Sequence, residues 1–320
     1  MSELNEKIVA GIFGVAVGDA LGVPVEFTNR QDLDKNPVTN MREYGTYHQP
    51  KGTWSDDSSL TFCLMEGLSN GYNLEDIAAK FAQWKYHSYW TPHGSVFDIG
   101  MATSQAIHEI KKGTKPELCG GMDEWSNGNG SLMRILPMAF YLYNEPDINV
   151  RFEKVKAVSS ITHAHVRSVI ACFTYVEYAI KLIEGFDKLE ALQIIQKSVI
   201  KHLAKLEINT AEVDLFYRVL NGNIGELERD VISGSGYVLH SLEASMWALL
   251  SSNSFDEAVL KAVNLGEDTD TTGAITGGLA GIYFGRDNQF DFWRAQLAKF
   301  EEIEGLIERF GEKIKTNNEN

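Results

Sequence analysis

The chain is poor in several features that would restrict its class. Only three cysteines occur in 320 residues, Cys63, Cys119 and Cys172, and none forms a C-x-x-C pair. A set so sparse and odd in number argues against a disulfide framework or a zinc–thiolate site and fits a reducing, cytoplasmic setting. Positive charge is also scarce: 29 Lys and Arg stand against 44 Asp and Glu, a formal net charge of −15. A sequence-independent nucleic-acid binder needs a basic face, so nucleic acid is not an expected partner. A phosphate-bearing small ligand stays open, because metal ions or backbone N–H groups can supply the positive potential. No stretch reaches the ~18 apolar residues of a membrane span. The apolar run 8–17 follows Glu3 and Glu6 with a single lysine and so lacks the basic flank of a signal peptide; it is read as a buried helix of a soluble protein. There is no H-E-x-x-H and no G-x-x-x-x-G-K-[ST], which excludes a zincin and makes a nucleotide-triphosphate P-loop unexpected. Alternating strand-like runs bounded by turn signals are nearly absent.

What remains is helix after helix. Hydrophobic residues make up 44% of the chain, as in a globular protein. At this length roughly three quarters of the unfolded surface can be buried. Apolar periodicity predicts helices over 4–18, 56–69, 73–88, 98–112, 131–143, 150–160, 165–184, 187–206, 209–221, 236–251, 255–265 and 271–285, then a charged helix from about 289 to 315. The stretch 29–53 has no periodicity and reads as a loop or flap; a loop so long in a compact domain is usually functional. No repeat or linker interrupts the pattern. The expectation is one all-α domain over 1–320, with its core at about 5–315 and a flexible tail at 316–320, monomeric by default.

Two acidic clusters stand out. Ser55-Asp56-Asp57 opens the 56–69 helix, where Ser55 is a good N-cap and carboxylates favour the helix dipole. Taken alone, capping explains them well. Asp268-Thr269-Asp270-Thr271 places oxygen donors at i, i+2 and i+3, a spacing suited to Mg²⁺ or Ca²⁺. An EF-hand starting at Asp268 would need glutamate at its twelfth position, where Leu279 stands. A phosphatase-type D-x-D-x-T would need an apolar strand before it, where Gly266-Glu267 stand. A loop entering a helix remains. Four aspartates in one cleft would repel strongly; two divalent cations ~3.5–4 Å apart, a common hydrolytic arrangement, would neutralise them.

Behind the second cluster lie Gly273, Gly277, Gly278 and Gly281. Each glycine costs ~1 kcal/mol in a helix relative to alanine, so the row predicts close backbone approach, with the Gly11, Gly14 and Gly18 helix as the natural partner. The run Asn127-Gly128-Asn129-Gly130-Ser131-Leu132-Met133-Arg134 precedes an apolar helix, and its backbone N–H groups could hold a phosphate. Ile161-Thr162-His163-Ala164-His165 places two imidazoles before a helix, where a histidine is as readily a cap or core residue. Phe97-Asp98-Ile99-Gly100 puts an acid at a helix start, where capping again suffices.

Seven motifs in order, GIFGVAVGDALGVPVEF, GTWSDDSSL, FDIGMATSQAI, NGNGSLMRILPMAF, THAH, GYVLHSLEASMWALL and GEDTDTTGAITGGLAGIYFG, together resemble the ADP-ribosylglycohydrolases, the family of dinitrogenase reductase-activating glycohydrolase and the ADP-ribosylarginine hydrolases. The resemblance runs from about residue 8 to 286. It implies an all-α orthogonal helical bundle around a central binuclear Mg²⁺ site, sometimes Mn²⁺, and hydrolysis by metal-activated water at ribose C1″ of ADP-ribose carried on a protein side chain, most often arginine. By motif match it implies Ser55, Asp56, Asp57, Asp268, Asp270 and Thr271 as metal ligands, with serine at 55 where threonine is frequent in the family. Asp57, Glu26 and Asp98 become candidates to orient water or carry a proton. Gly128, Asn129, Gly130 and Ser131, within the run that also holds Asn127 and Met133, would bind phosphates, and His163 and Tyr237 would contact ribose or adenine. The implied partners are ADP-ribose and an ADP-ribosylated protein. O-linked substrates, ADP-ribosyl-serine or O-acetyl-ADP-ribose, and a silent ADP-ribose-binding or structural role are the competing readings.

Overall fold

The computed structural model describes residues 2–319, with side chains as far as Thr316. The chain folds into helices α1 (Glu3–Gly22), α2 (Arg30–Lys35), α3 (Asp56–Ser69), α4 (Leu74–His87), α5 (Met101–Lys111), α6 (Leu136–Leu142), α7 (Ile148–Ser160) and α8 (Val166–Ile183). It continues through α9 (Lys188–Lys205), α10 (Thr210–Asp214), α11 (Tyr217–Leu220), α12 (Val238–Leu250), α13 (Phe255–Val263), α14 (Thr269–Phe284), α15 (Asn288–Arg294) and α16 (Phe300–Glu319). Among the described residues, the only β pairing is two isolated bridges, Gly121 with His163 and Gly128 with Tyr237. The all-α expectation is met.

Most helix boundaries fall within three residues of the expected ones, because caps and periodicity are local. Ser55 caps α3 by accepting from Asp57 N–H, Asn73 caps α4, Asp187 caps α9 and Ser254 caps α13. The departures are few. The expected helix 209–221 divides into α10 and α11, and 289–315 divides into α15 and α16. In the second break Ala298 N–H bonds Gly52 O, and Trp54 Nε1 donates to Ala298 O. The loop 29–53 holds the short α2 but is otherwise irregular. Helix 131–143 starts later, at Leu136, after a single 3₁₀ turn over Leu132–Arg134. Helix α16 runs on to Glu319, and Asn320, the last residue of the expected tail, lies outside the described residues.

The core is organised on α1 and α14, which pack antiparallel, glycine against glycine. A Cβ added at Gly14 would stand 2.2 Å from Gly277 O, one at Gly18 2.0 Å from Gly273 O, and one at Gly281 2.1 Å from Ala10 O. The glycines pair as their spacing predicted, and their intrinsic helix cost is offset by burial that a larger residue would forbid. With the turn that follows it, α1 is, by length and composition, long and apolar enough to cross a bilayer, which corrects the expectation from the sequence. Its apolar window is 89% buried inside the protein, so this helix is the centre of the core.

Candidate active site

Antiparallel pairing brings the C-terminal end of α1 against the N-terminal end of α14. Gly22 lies so close to Asp270 that a Cβ there would be 2.3 Å from its Cα, and Thr269 Oγ1 donates to Gly22 O (2.8 Å). Asp19, buried in the last turn of α1, then fixes a third element. Its carboxylate accepts from Ser55 N–H (2.9 and 3.0 Å), Ser58 N–H (3.0 Å) and Ser58 Oγ (2.6 Å), which holds the N-terminus of α3 in place. A short turn past α1 places Glu26, and Asp98 arrives just before α5. The two acidic clusters, over 200 positions apart, therefore meet: Thr271 Oγ1 donates to Asp57 Oδ2 (3.3 Å), which also accepts from Ser55 Oγ (3.2 Å).

Carboxylate oxygens of Glu26, Asp268 and Asp270 lie within 4.8 Å of one another and could hold a metal ion. Among the described residues three buried carboxylate oxygens have no hydrogen-bond donor, Glu26 Oε2, Asp57 Oδ1 and Asp270 Oδ2. Unpaired buried carboxylates are costly, and the result shows in their acidities. Burial, then the charge of Asp98, pushes Glu26 up to about 8. Burial first, and neighbouring carboxylates next, raise Asp56, Asp57 and Asp270 well above the ordinary carboxylate range. Burial also raises Asp98, against the lowering effect of a hydrogen bond from Tyr47. Asp19 rises to about 7 through burial, with its four hydrogen bonds opposing. Orphaned oxygens in an all-oxygen, hard donor set are what a divalent cation such as Mg²⁺ or Mn²⁺ would satisfy, so these residues fit a metal. The Ser55 and Thr271 hydroxyls can donate to Asp57 and still offer lone pairs outward.

The cluster opens into a cleft of about 590 Å³ whose walls include Glu26, Asp56, Asp98, Asp268 and Thr271 on one side of the chemistry and Gly128, Asn129, Gly130, Met133 and His163 on the other. Asn129 Nδ2 ties the two together by donating to Asp268 Oδ2 (2.7 Å) and Ser241 Oγ (2.8 Å). Gly130 is pressed so near His163 and Thr103 that a Cβ would sit 2.8 Å from each. His163 is buried, its Nδ1 paired with Thr162 Oγ1 (2.8 Å); burial, and then the charge of Arg134, depress it to about 3, so the ring is neutral.

Not every expected residue faces the cleft. Ser131 is buried behind it, its hydroxyl accepting from Ser159 Oγ (2.9 Å) and lying 3.4 Å from Cys172 Sγ. Asn127 turns its Nδ2 to Glu124 O (2.9 Å), and Tyr237 packs edge-on to His240 while bridging to Gly128. The second imidazole of the pair, His165, is an N-cap, accepting from Arg167 N–H (3.2 Å). Sequence reasoning missed three residues. Asp19 was visible only as the polar break in an apolar run. Arg134, fully buried, stacks over Phe81 and donates to Gly130 O and to Val158 O (3.2 Å), so it carries the glycine loop from beneath; it stood unread inside that loop's own motif. Tyr47 stands near both Glu26 and Asp98 and lies in the aperiodic flap, where nothing marked it.

Fold and site define an all-α enzyme whose acidic, oxygen-lined centre can take a metal and whose glycine loop faces it across a cleft. The ADP-ribosylglycohydrolase family model matches residues 1–320. The chain is 30% identical to "ADP-ribosylarginine hydrolase Tri1" of Serratia proteamaculans (strain 568) over 312 residues, 96% of this chain and 80% of that protein. It is 26% identical to "ADP-ribosyl-[dinitrogen reductase] glycohydrolase" of Rhodospirillum rubrum, covering 92% and 91% of the two chains. A solved structure described as "ADP-ribosylglycohydrolase-related protein complex" superposes with a TM-score of 0.78 at 26% identity, over 98% of this chain and 100% of the other. The chain belongs to the ADP-ribosylglycohydrolase family and is a glycohydrolase acting on ADP-ribose conjugates.

Proposed function

We propose that the protein releases ADP-ribose from modified arginine side chains, using two divalent cations, Mg²⁺ or Mn²⁺. The observation that carries this reading is the trio of unpaired buried oxygens on Asp57, Asp270 and Glu26, set at the head of a cleft lined by a glycine loop. Two relatives named for arginine-linked or protein-linked ADP-ribose favour that substrate class.

Ser55, Asp56, Asp57, Asp268, Asp270 and Thr271 would hold the cations, with Glu26 inside the same donor group. Cations bound there would neutralise the carboxylates and bring water to a usable acidity near neutral pH. The chain's own residues do the rest. Asn129 holds Asp268 in place, and Gly128 to Gly130 offer a surface that admits phosphates at backbone distance. Asp98 stands outside the donor trio and lines the cleft, so its carboxyl is the group best placed to move a proton between water and the departing nitrogen. Buried, neutral His163 can offer a hydrogen bond to the ribose without adding charge. Three free, buried cysteines suit a reducing cytoplasm, and the acidic chain suits a monomer that binds no nucleic acid.

The test is incubation with arginine-, serine- and O-acetyl-linked ADP-ribose, following free ADP-ribose. Release from the arginine linkage, loss with EDTA and restoration by Mg²⁺ or Mn²⁺ are expected, as is loss of turnover in Asp56→Ala and Asp270→Ala with helical content retained. Release from serine alone would overturn the linkage, and indifference to EDTA would overturn the metal assignment.

A further inference from the structure

We propose that Phe27, backed by the rings of Tyr47 and Phe97, is the face that receives the guanidinium of an ADP-ribosylated arginine and so selects the linkage that is cleaved. The inference rests on the arginine reading above and names the residue that would enforce it.

Phe27 immediately follows Glu26, lines the cleft and is 70% exposed. Its φ is +64°, in the left-handed region that bulky side chains rarely enter. The conformation is locked from outside: Phe27 N–H donates to Glu267 O (2.6 Å), and Glu267, itself at φ +65°, donates back to Thr28 O (2.8 Å). A ring left in water adds little to folding, so core packing does not account for an aromatic held there in a strained backbone. The wall behind it is equally fixed. Tyr47 lies 6.5 Å from Phe27 in an edge contact and 5.1 Å from Phe97, ring centre to ring centre. Its segment of the flap is pinned by Thr46 N–H to Pro24 O (3.1 Å) and Thr46 Oγ1 to Glu26 O (2.8 Å). Gly45 passes so near Pro24 that a Cβ would meet its oxygen at 1.8 Å.

The chemistry of this corner suits one leaving group. A guanidinium is planar and cationic, stacks on aromatic faces and donates several N–H bonds to carboxylates. Aromatic rings and the carboxylates of Glu26 and Asp98 converge here, Phe27 lining the same cleft as both carboxylates with Tyr47 and Phe97 behind it. A serine leaving group is neither planar nor charged, and an acetate, though planar, is anionic, so neither offers the planar cation that an aromatic face and carboxylates attract. The glycine loop belongs to the other part of the cleft, linked through Asn129 to Asp268, so the rings are free for the side chain that departs.

Phe27→Leu keeps apolar bulk and removes the aromatic face; Phe27→Tyr keeps the face. With a peptide carrying ADP-ribosyl-arginine and the Mg²⁺-loaded protein, Phe27→Leu is expected to lose about tenfold in kcat/KM and Phe27→Tyr to stay within about twofold. Affinity for free ADP-ribose, measured on the same preparations, should not move in either variant, which also controls for the folded fraction. Equal losses in the two variants, a parallel fall in ADP-ribose affinity, or an unaffected Phe27→Leu would each overturn the assignment while leaving the arginine reading intact. A wild-type protein that releases nothing from the arginine-linked peptide would overturn both.

Discussion

Asp19 shows how much of a site can rest on a residue with no catalytic signature. It accepts from two backbone amides and one hydroxyl at the start of α3. Without it Ser55 and Ser58 would bury donors that nothing satisfies, at about 1–3 kcal/mol each. Ser55 in turn serves twice, as the helix cap the sequence suggested and as a hydroxyl beside Asp57. The capping reading of Ser55 holds, and it leaves the proposed metal role open to the same residues, because a helix N-terminus and a hard cation want the same oxygens. Asp19→Ala is expected to weaken Mg²⁺ binding by about 10–100-fold, as loss of a group that orients ligands does. It should also lower stability by about 2–4 kcal/mol. Calorimetric titration and denaturant unfolding would check this; unchanged Mg²⁺ affinity would remove Asp19 from the site's support.

Between elements, the deciding contact is α1 against α14. Its glycines were legible as a pattern, and their partner could be named, because a row of residues without Cβ has few physical uses. That the pairing is antiparallel was not legible, yet only that orientation sets Asp19 beside Ser55 and Gly22 beside Asp270. Gly277→Ala would place a Cβ 2.1 Å from Gly14 O and is expected to cost about 3 kcal/mol or more, as overpacking of a tight interface does. Gly305→Ala, on α16 with only the Arg309 side chain 3.8 Å away, should stabilise by about 0.5–1 kcal/mol. Thermal or urea unfolding of the two variants should move in opposite directions; similar shifts would mean the glycine face is not the constraint it is taken to be.

Across the chain as a whole, the buried carboxylates set an unusual pH dependence. Their pKa values are raised in the folded state, so between about pH 4 and pH 8 the folded protein binds more protons than the unfolded chain. Stability of the metal-free protein is therefore full below the unfolded carboxylate pKa and is lost as pH rises through about 7 to 8. Surface carboxylates held low, such as Asp32 and Glu212, act in the opposite sense in more acid solution, and so do the histidines held low by burial, His163 above all, up to about pH 6.5. In EDTA the melting temperature is expected to fall from about pH 6.5 to about pH 8, and added Mg²⁺ should raise it far more at the upper end, since binding needs the ionised ligands. A profile in EDTA that is flat or rises over this range would contradict the burial of an uncompensated acidic cluster.

Helix positions, the capping residues, the acidic motifs and the glycine faces were all readable from the chain, because periodicity, dipole and Cβ size act over a few residues. Order in sequence also sufficed to recognise the family from seven separated motifs. Contacts between distant segments decided the remainder. They split the last expected helix at 295–299, turned Ser131 inward to Ser159 and Cys172, and set Arg134 under the glycine loop. They also carried Tyr47 from an aperiodic flap onto Glu26 and Asp98. No local rule marks such residues, since their roles depend on a partner that arrives only when the chain has closed: burial sets the cost of a lone carboxylate, and the fold alone determines which carboxylates are buried together.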